Sequence, residues 1–157
     1  MTEEHGVCTA EENSVCTAEE HRQALTEVSF ILDIFAHTVD ELMGGASVSV
    51  GRIAGRRMAR KLPLYLPEPT LENVVAALAA CPRIGARVTL EDEGRRLGFA
   101  NCAVHAVCKN RGLELGGSLC SVFHYYVDGI INELVGRPLR SRILTTGDTC
   151  TAELELR

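Results

Sequence analysis

The spacing of apolar residues changes along the chain from a helical period to a strand period, and this change constrains the fold most strongly. Up to Cys81 apolar residues recur every three or four positions, and from Ile84 they alternate with polar residues. A helical pattern returns after Ser118, and two alternating segments follow it. The predicted order is three helices, hairpin, helix, hairpin. It indicates an α+β fold with helices packed on one face of an antiparallel sheet.

The first predicted helix runs from about Thr17 to Met43 and carries an amphipathic stripe. Its apolar positions are separated alternately by three and four residues: Leu25, Val28, Leu32, Phe35, Val39 and Leu42. A second helix is predicted from about Ser47 to Leu62. Its Gly51-x-x-x-Gly55 spacing favours close packing against another helix over an approach by a ligand. Thr70 is predicted to cap a third helix.

The predicted strands begin with Ile84 to Leu90, which a turn at Glu91 to Gly94 connects to a second strand from about Arg96 to Cys108. Two more strands are predicted near the end of the chain. Leu139, Ser141 and Ile143 alternate in one of them, and Cys150, Ala152, Leu154 and Leu156 alternate in the other.

Charge divides the 157 residues into an acidic tail at 1–20 and a domain at 21–157. The tail holds six of the 21 acidic residues and none of the 16 basic ones, so the domain is close to neutral. A neutral domain lacks the basic surface on which nucleic-acid affinity depends, so no direct nucleic-acid partner is expected. Without a signal-like start or a membrane-length apolar run, the chain is predicted to be cytoplasmic.

A short repeat occupies the tail, where Val-Cys-Thr-Ala-Glu-Glu occurs at 7–12 and again at 15–20. Each copy contains Thr-x-x-Glu, which is a helix capping box, and the second copy directly precedes the first predicted helix. The alternative is a metal clip or redox pair formed by Cys8 and Cys16.

Motifs of the common enzyme classes are missing from the sequence. It contains no phosphate-binding loop, no Gly-x-Ser-x-Gly nucleophile elbow and no strand, glycine-rich turn and helix for a dinucleotide. A Cys and His nucleophile pair stays formally open, with Cys102 or Cys120 beside His105 or His124. A non-enzymatic role is therefore favoured.

Seven cysteines without an export signal point to metal ligands, redox thiols or buried apolar side chains rather than to disulfides. Cys120 and His124 share one face of a predicted helix, and thiolate and imidazole suit zinc. On a straight strand Cys102 and Cys108 would lie ~20 Å apart, with His105 on the opposite face. The sequence thus favours zinc held by Cys120, His124, Cys150 and either Cys102 or Cys108. The alternative is thiols and a histidine buried between helix and sheet.

A basic stripe lies on the second helix, where Arg52, Arg56 and Arg60 follow one another at intervals of four. Such a stripe is typical of a solvated helix face. The alternative, functional interpretation is an anion-binding site at the mouth of a pocket.

Three segments together resemble the 4-vinyl-reductase domain family, also called hydrocarbon-binding proteins. They are Gly51-Arg52-Ile53-Ala54-Gly55-Arg56-Arg57, then Cys102 and Cys108 followed by Cys120-Ser121-Val122-Phe123-His124-Tyr125-Tyr126-Val127-Asp128-Gly129, and finally Thr146-Gly147-Asp148-Thr149-Cys150. The likeness covers about residues 25–157. Ile143 stands where many members carry a further cysteine, so the resemblance does not by itself imply a four-thiolate site.

The resemblance implies a fold shared with haem-dependent nitric-oxide sensors and TRAPP-type transport subunits, with helices and an antiparallel sheet around an apolar pocket. It also implies candidate metal or thiol positions at Cys102, Cys108, Cys120 and Cys150. The function expected from it is a stand-alone module that binds a hydrophobic small molecule or senses one. The expected ligand-binding residues are Phe35, Arg52, Arg56, Phe123 and Tyr126.

Two other functions stay open. One is an enzyme or accessory protein in the reduction of a tetrapyrrole vinyl group, although the sequence shows no flavin or nicotinamide motif. The other is a regulatory protein that binds a partner, including a homodimer formed through the stripe from Leu25 to Leu42.

Overall fold

The computed structural model describes residues 17–81 and 84–156. Predictions for residues 1–16, including most of the acidic tail, the first copy of the repeat and the clip of Cys8 and Cys16, lie outside the described residues. In the described part the predicted α+β class is confirmed, with five α-helices and a four-stranded antiparallel sheet. The elements are α1 (Ala18–Met43), α2 (Ser47–Ala59), α3 (Leu71–Ala79), β1 (Arg87–Glu91), β2 (Arg96–Ala100), α4 (Ala103–Arg111), α5 (Ser118–Val135), β3 (Leu139–Thr145) and β4 (Thr149–Leu156).

The helix starts follow the predicted caps. The Thr17 side chain accepts a hydrogen bond from the Glu20 amide, and the Glu20 carboxylate accepts one from the Thr17 amide, so the second capping box forms. Ala18 to Glu20 therefore form the first turn of α1. Thr70 caps α3 by accepting a hydrogen bond from the amide of Asn73.

The sheet has the order β1-β2-β4-β3, and its core face is covered by helices. Val88, Leu97 and Ala152 on this face are fully buried. Phe99 pairs with Cys150, and Ile143 pairs with Ala152. Paired residues lie on the same face of a sheet, so the alternation predicted for the last two strands is confirmed. Cys150 therefore faces the helices.

The prediction of one long second strand from Arg96 to Cys108 is wrong. The strand ends at Ala100 because Asn101 adopts a left-handed conformation with φ of 51°, and Cys102 then becomes the N-cap of α4. Asn tolerates this conformation better than most residues, and the two alanines of α4 favour a helix. The order is consequently three helices, hairpin, two helices, hairpin.

Close packing of α2 on α5 confirms the prediction from the Gly51-x-x-x-Gly55 spacing. A Cβ at Gly51 would lie 2.6 Å from the carbonyl oxygen of Val122, and a Cβ at Gly55 would overlap the carbonyl oxygen of Tyr126. A Cβ at Gly129 on α5 would likewise overlap the carbonyl oxygen of Arg52. Glycines on both helices thus allow their backbones to touch.

One buried side chain ties the end of α5 to the start of β3. Asn132 donates from Nδ2 to the carbonyl oxygen of Leu139 at 3.0 Å and accepts from the amide of Leu139 through Oδ1. Replacement by alanine leaves two buried backbone groups of Leu139 without partners. We expect Asn132→Ala to lower the free energy of unfolding by about 2 kcal/mol, measured by urea denaturation. Asn73→Ala, on the exposed surface, serves as the comparison, and an equal loss in both variants would contradict this role for Asn132.

Candidate functional site

A small cavity lies where the starts of α4 and α5 meet the β3-β4 end of the sheet. The cavity has a volume of about 40 Å³, counted as the space that the centre of a water molecule can occupy. Its walls are mainly apolar apart from sulfur and imidazole groups. The lining residues are Phe99, Cys102, Val104, His105, Leu115, Cys120, Phe123, His124, Ile143, Thr146, Cys150 and Thr151.

Each element contributes to this cavity for a local reason. Cys102 caps α4, so His105 one turn later lies on the same side of that helix. On α5, Cys120, Phe123 and His124 have the spacing of residues that share one helix face. Further along α5, the same face continues into the filled core. The cavity is therefore the unfilled end of the helix-sheet interface.

Two of the thiols at this site lie next to each other. The Sγ atoms of Cys108 and Cys120 are 3.9 Å apart, and the five cysteines in the described part of the chain are free. Burial raises the pKa of Cys102, and the neighbouring thiols of Cys120 and Cys150 add to the effect. Burial and the Cys120 thiol raise the pKa of Cys108 to about 12. These thiols are thus protonated at neutral pH while no ion is bound.

Because residues 103–111 form helix α4 and not a strand, the predictions for the spacing of Cys102 and Cys108 and for the face of His105 no longer apply. The estimate of ~20 Å between Cys102 and Cys108 assumed a rise of roughly 3.3 Å per residue, but a helix rises only about 1.5 Å. The assignment of His105 to the opposite face was also wrong, since three-residue steps return to one side of a helix. His105 lines the same cavity as Cys102.

His124 is oriented by a buried chain of polar groups. Ser141 on β3 donates its hydroxyl hydrogen to Asp128 Oδ1, and its oxygen lies 2.6 Å from His124 Nε2. A hydroxyl that donates to the carboxylate accepts from the ring, so the proton of neutral His124 is on Nε2 and the lone pair is on Nδ1. Burial lowers the pKa of His124, although the Asp128 charge opposes this shift. The ring is therefore neutral, with its lone pair on Nδ1.

Arg52 of α2 closes this chain at the other end. Its Nη2 lies 3.5 Å from Asp128 Oδ2, and its guanidinium is 5.0 Å from the centre of the Tyr125 ring. The Asp128 side chain is almost fully buried, whereas that of Arg52 is a quarter exposed. Arg52 thus balances the charge of Asp128 and does not line the cavity.

The predicted ligand-binding residues do not meet at one place. Phe123 lines the cavity, and Tyr126 stacks on it with ring centres 6.0 Å apart. Arg56 borders a separate surface groove with Glu133 and Arg137, and Phe35 on α1 is 63% exposed. In contrast, all five predicted metal residues lie at or beside the cavity: Cys102, Cys120, His124 and Cys150 line it, and Cys108 adjoins Cys120.

Sequence reasoning missed Ser141 and Asp128. Ser141 is the polar member of a row of core-facing strand residues that are otherwise apolar, and this exception can be seen in the sequence. Asp128 follows His124 by four residues, which places both on one face of a helix. Each position can be read from the sequence, but their meeting depends on the pairing of α5 with β3.

In the arrangement seen for residues 17–81 and 84–156, no group of three or more His, Cys, Asp and Glu side chains is placed to hold a metal ion. The same part of the chain contains no helix that is long and apolar enough to cross a membrane. Comparisons with protein-family models, curated proteins and solved structures find no match to this chain.

Proposed function

We propose that this protein is a binding or sensor module whose site is the cavity between α4, α5 and the sheet, and that the site takes Zn²⁺. The observation that carries the proposal is the convergence of three cysteines and two histidines on one small apolar cavity, with a fourth cysteine beside it. Membership of the 4-vinyl-reductase domain family is part of the same proposal and rests on the sequence motifs alone.

The donor chemistry suits zinc. Two thiolates on a tetrahedral zinc ion, each ~2.3 Å from the metal, lie about 3.8 Å apart, and the two sulfurs of Cys108 and Cys120 are separated by 3.9 Å. We assign Cys120, His124, Cys150 and either Cys102 or Cys108 as the ligands. Binding an ion requires these side chains to rearrange, since in the described residues they are not placed around one point.

The apolar walls of the cavity and the hydrogen bonds that orient His124 support the same assignment. The chain from His124 through Ser141 to Asp128 holds the imidazole in one tautomer, as outer partners do at metal sites. The cavity has room for an ion and a few water-sized groups, since one water needs ~10–15 Å³ on this measure. A tetrapyrrole or a hydrocarbon chain would need a larger opening, so the proposal favours an ion over the ligands that the family name suggests.

The test is titration of the reduced, metal-free protein with Co²⁺, whose thiolate complexes absorb light, followed by displacement with Zn²⁺. We expect one ion per chain. Cys120→Ser is expected to weaken zinc binding by at least ~100-fold, because loss of one thiolate removes one of four metal bonds.

Two controls separate this cavity from other thiols. Cys81→Ser changes a cysteine outside the cavity, and the double variant Cys8→Ser/Cys16→Ser removes the tail thiols. Both are expected to bind zinc as the parent does. Failure of the parent protein to develop thiolate-to-cobalt absorption, or unchanged zinc affinity in Cys120→Ser, would refute the proposal.

A further inference from the structure

The thiols of Cys108 and Cys120 are in contact across two successive helices. Cys108 lies on α4, Cys120 lies in the first turn of α5, and their Sγ atoms are 3.9 Å apart. Because the two sulfurs touch, the side chains point toward each other. In a disulfide the sulfurs are ~2.05 Å apart, so these two have to approach by about 2 Å to form a bond.

Helix α4 is placed so that this approach disturbs little of the fold. Cys108 is the buried residue of this nine-residue helix, and the rest of α4 is at least partly exposed. The connection from α4 to α5 contains Gly112 and Gly116, which both adopt a positive φ. A small displacement of the end of α4 toward α5 therefore changes few buried contacts.

The two sulfurs differ in their access from the cavity. Cys120 lines the cavity and is partly exposed, whereas Cys108 is 1% exposed and does not line it. A molecule that enters the cavity therefore meets the Cys120 sulfur first, with the Cys108 sulfur directly behind it. An accessible thiol next to a second thiol that can displace its oxidised form is typical of redox-sensing cysteines.

The size of the cavity limits which oxidant can reach Cys120. Its volume is about 40 Å³, and one water molecule needs ~10–15 Å³ on this measure. Hydrogen peroxide has only two non-hydrogen atoms and fits this space. A peptide disulfide such as oxidised glutathione is far larger and does not. The oxidant that suits this site is thus a small hydroperoxide.

From the contact, the placement of α4 and the difference in access, we infer that Cys108 and Cys120 form a reversible disulfide when hydrogen peroxide enters the cavity. In the first step a sulfur–oxygen bond forms at Cys120 and the oxygen–oxygen bond breaks, which gives a sulfenic acid and one water. In the second step the Cys108 sulfur bonds to the Cys120 sulfur, and the hydroxyl group leaves with the Cys108 proton as a second water. The two thiols together lose two electrons, and the peroxide takes up both. A thiol reductant reverses the bond by exchange.

This disulfide also regulates the proposed metal site, and only this consequence rests on the proposed function. Cys120 is one of the assigned zinc ligands, and its sulfur cannot bind zinc as a thiolate while it is bonded to Cys108. Oxidation is therefore expected to release the ion, and bound zinc is expected to protect Cys120 from peroxide.

The test counts free thiols in the full chain after removal of metal with a chelator. The variant Cys8→Ser/Cys16→Ser is used, so that the tail thiols do not contribute. It is treated with hydrogen peroxide, alkylated under denaturing conditions and weighed by mass spectrometry. We expect two thiols per chain to escape alkylation, and both to react again after treatment with dithiothreitol.

Two further substitutions in this background identify the pair. Cys108→Ser is expected to abolish the reversible loss of two thiols, and Cys108→Ala, which keeps the buried position apolar, repeats the test. Cys102→Ser is the matched control, because Cys102 lines the same cavity but is not the proposed partner of Cys120. It is expected to form the disulfide as before, and circular dichroism checks that all variants keep their helices.

Three results would overturn the inference: no loss of a thiol pair in the starting variant, an undiminished loss in both Cys108 variants, or abolition of the loss by Cys102→Ser. A repeat with excess Zn²⁺ separates the two proposals. Slower loss of the thiols supports both of them. An unchanged rate contradicts zinc binding at Cys120 while the metal-free result still supports the disulfide.

Discussion

Alanine at Gly55 is expected to lower the free energy of unfolding by about 3 kcal/mol, at the upper end of the usual cost of overpacking. The added Cβ would overlap the carbonyl oxygen of Tyr126 and lie 2.9 Å from both the Gly129 Cα and the Ile130 amide nitrogen. All three are backbone atoms of α5, so no side-chain rotation relieves the contact. The two helices would have to separate.

The sign of this effect is informative because helix propensity acts in the opposite direction. Alanine is more favourable than glycine inside a helix by about 1 kcal/mol. Urea denaturation of Gly55→Ala therefore distinguishes the two effects. Ala54→Gly, one position earlier on the exposed side of α2, is expected to lose only ~1 kcal/mol. A Gly55→Ala protein as stable as the parent, or more stable, would contradict the close contact of α2 with α5.

Alanine at Asp128 is expected to lower the free energy of unfolding by about 3 kcal/mol, because it removes the buried member of an ion pair and the acceptor of a buried hydroxyl group. Asp128 accepts the hydroxyl hydrogen of Ser141 and faces Arg52 at 3.5 Å. In the variant the Ser141 hydroxyl loses its acceptor, and Arg52 loses the only carboxylate within salt-bridge distance that the described residues give it. The His124 tautomer is then no longer set by Ser141.

An exposed ion pair is the matched control. Arg142 and Glu153 pair across β3 and β4 at 2.9 Å, with side chains that are 68% and 44% exposed. Glu153→Ala is expected to cost less than ~1 kcal/mol, since solvent screens such pairs. Unfolding in urea is measured for both variants at one pH and one salt concentration. Equal losses would show that the chain from Arg52 to His124 contributes no more than a surface contact.

The sequence predicted helix starts and one helix contact correctly, because each depends on a residue type with one specific structural role. The capping residues Thr17 and Thr70, and the glycine pair at 51 and 55, each act through a local rule, and each prediction agrees with the structure. Segment 103–108 was predicted wrongly because Ala-Val-His-Ala-Val-Cys is a short apolar run with one histidine, and such a run does not separate the helical period from the strand period. The left-handed Asn101 decides between them, and a sequence does not state backbone angles.

The candidate site could be predicted in its residues but not in its arrangement. Four cysteines and a histidine were selected from the sequence, and all lie in or beside one cavity. The distances depend on where α4 turns back after the sheet, which is a tertiary property. Likewise, the regular apolar stripe of α1 can be seen in the sequence. Its exposure cannot, because it depends on the other elements filling the core without this stripe.

Two left-handed residues bound α4 and fix its direction along the cavity. Asn101 precedes the helix with φ of 51°, and Gly112 follows it with φ of 65°. Between these corners lies a nine-residue segment that carries His105 and Cys108 and whose first residue, Ala103, is tied by a hydrogen bond to the Gly85 carbonyl oxygen. Because neither corner belongs to a strand, the direction of α4 is set by these two residues and by the Ala103 hydrogen bond, and not by the hydrogen bonds of the sheet. The shape of the cavity next to Cys150 therefore depends on the placement of one nine-residue helix as well as on the sheet.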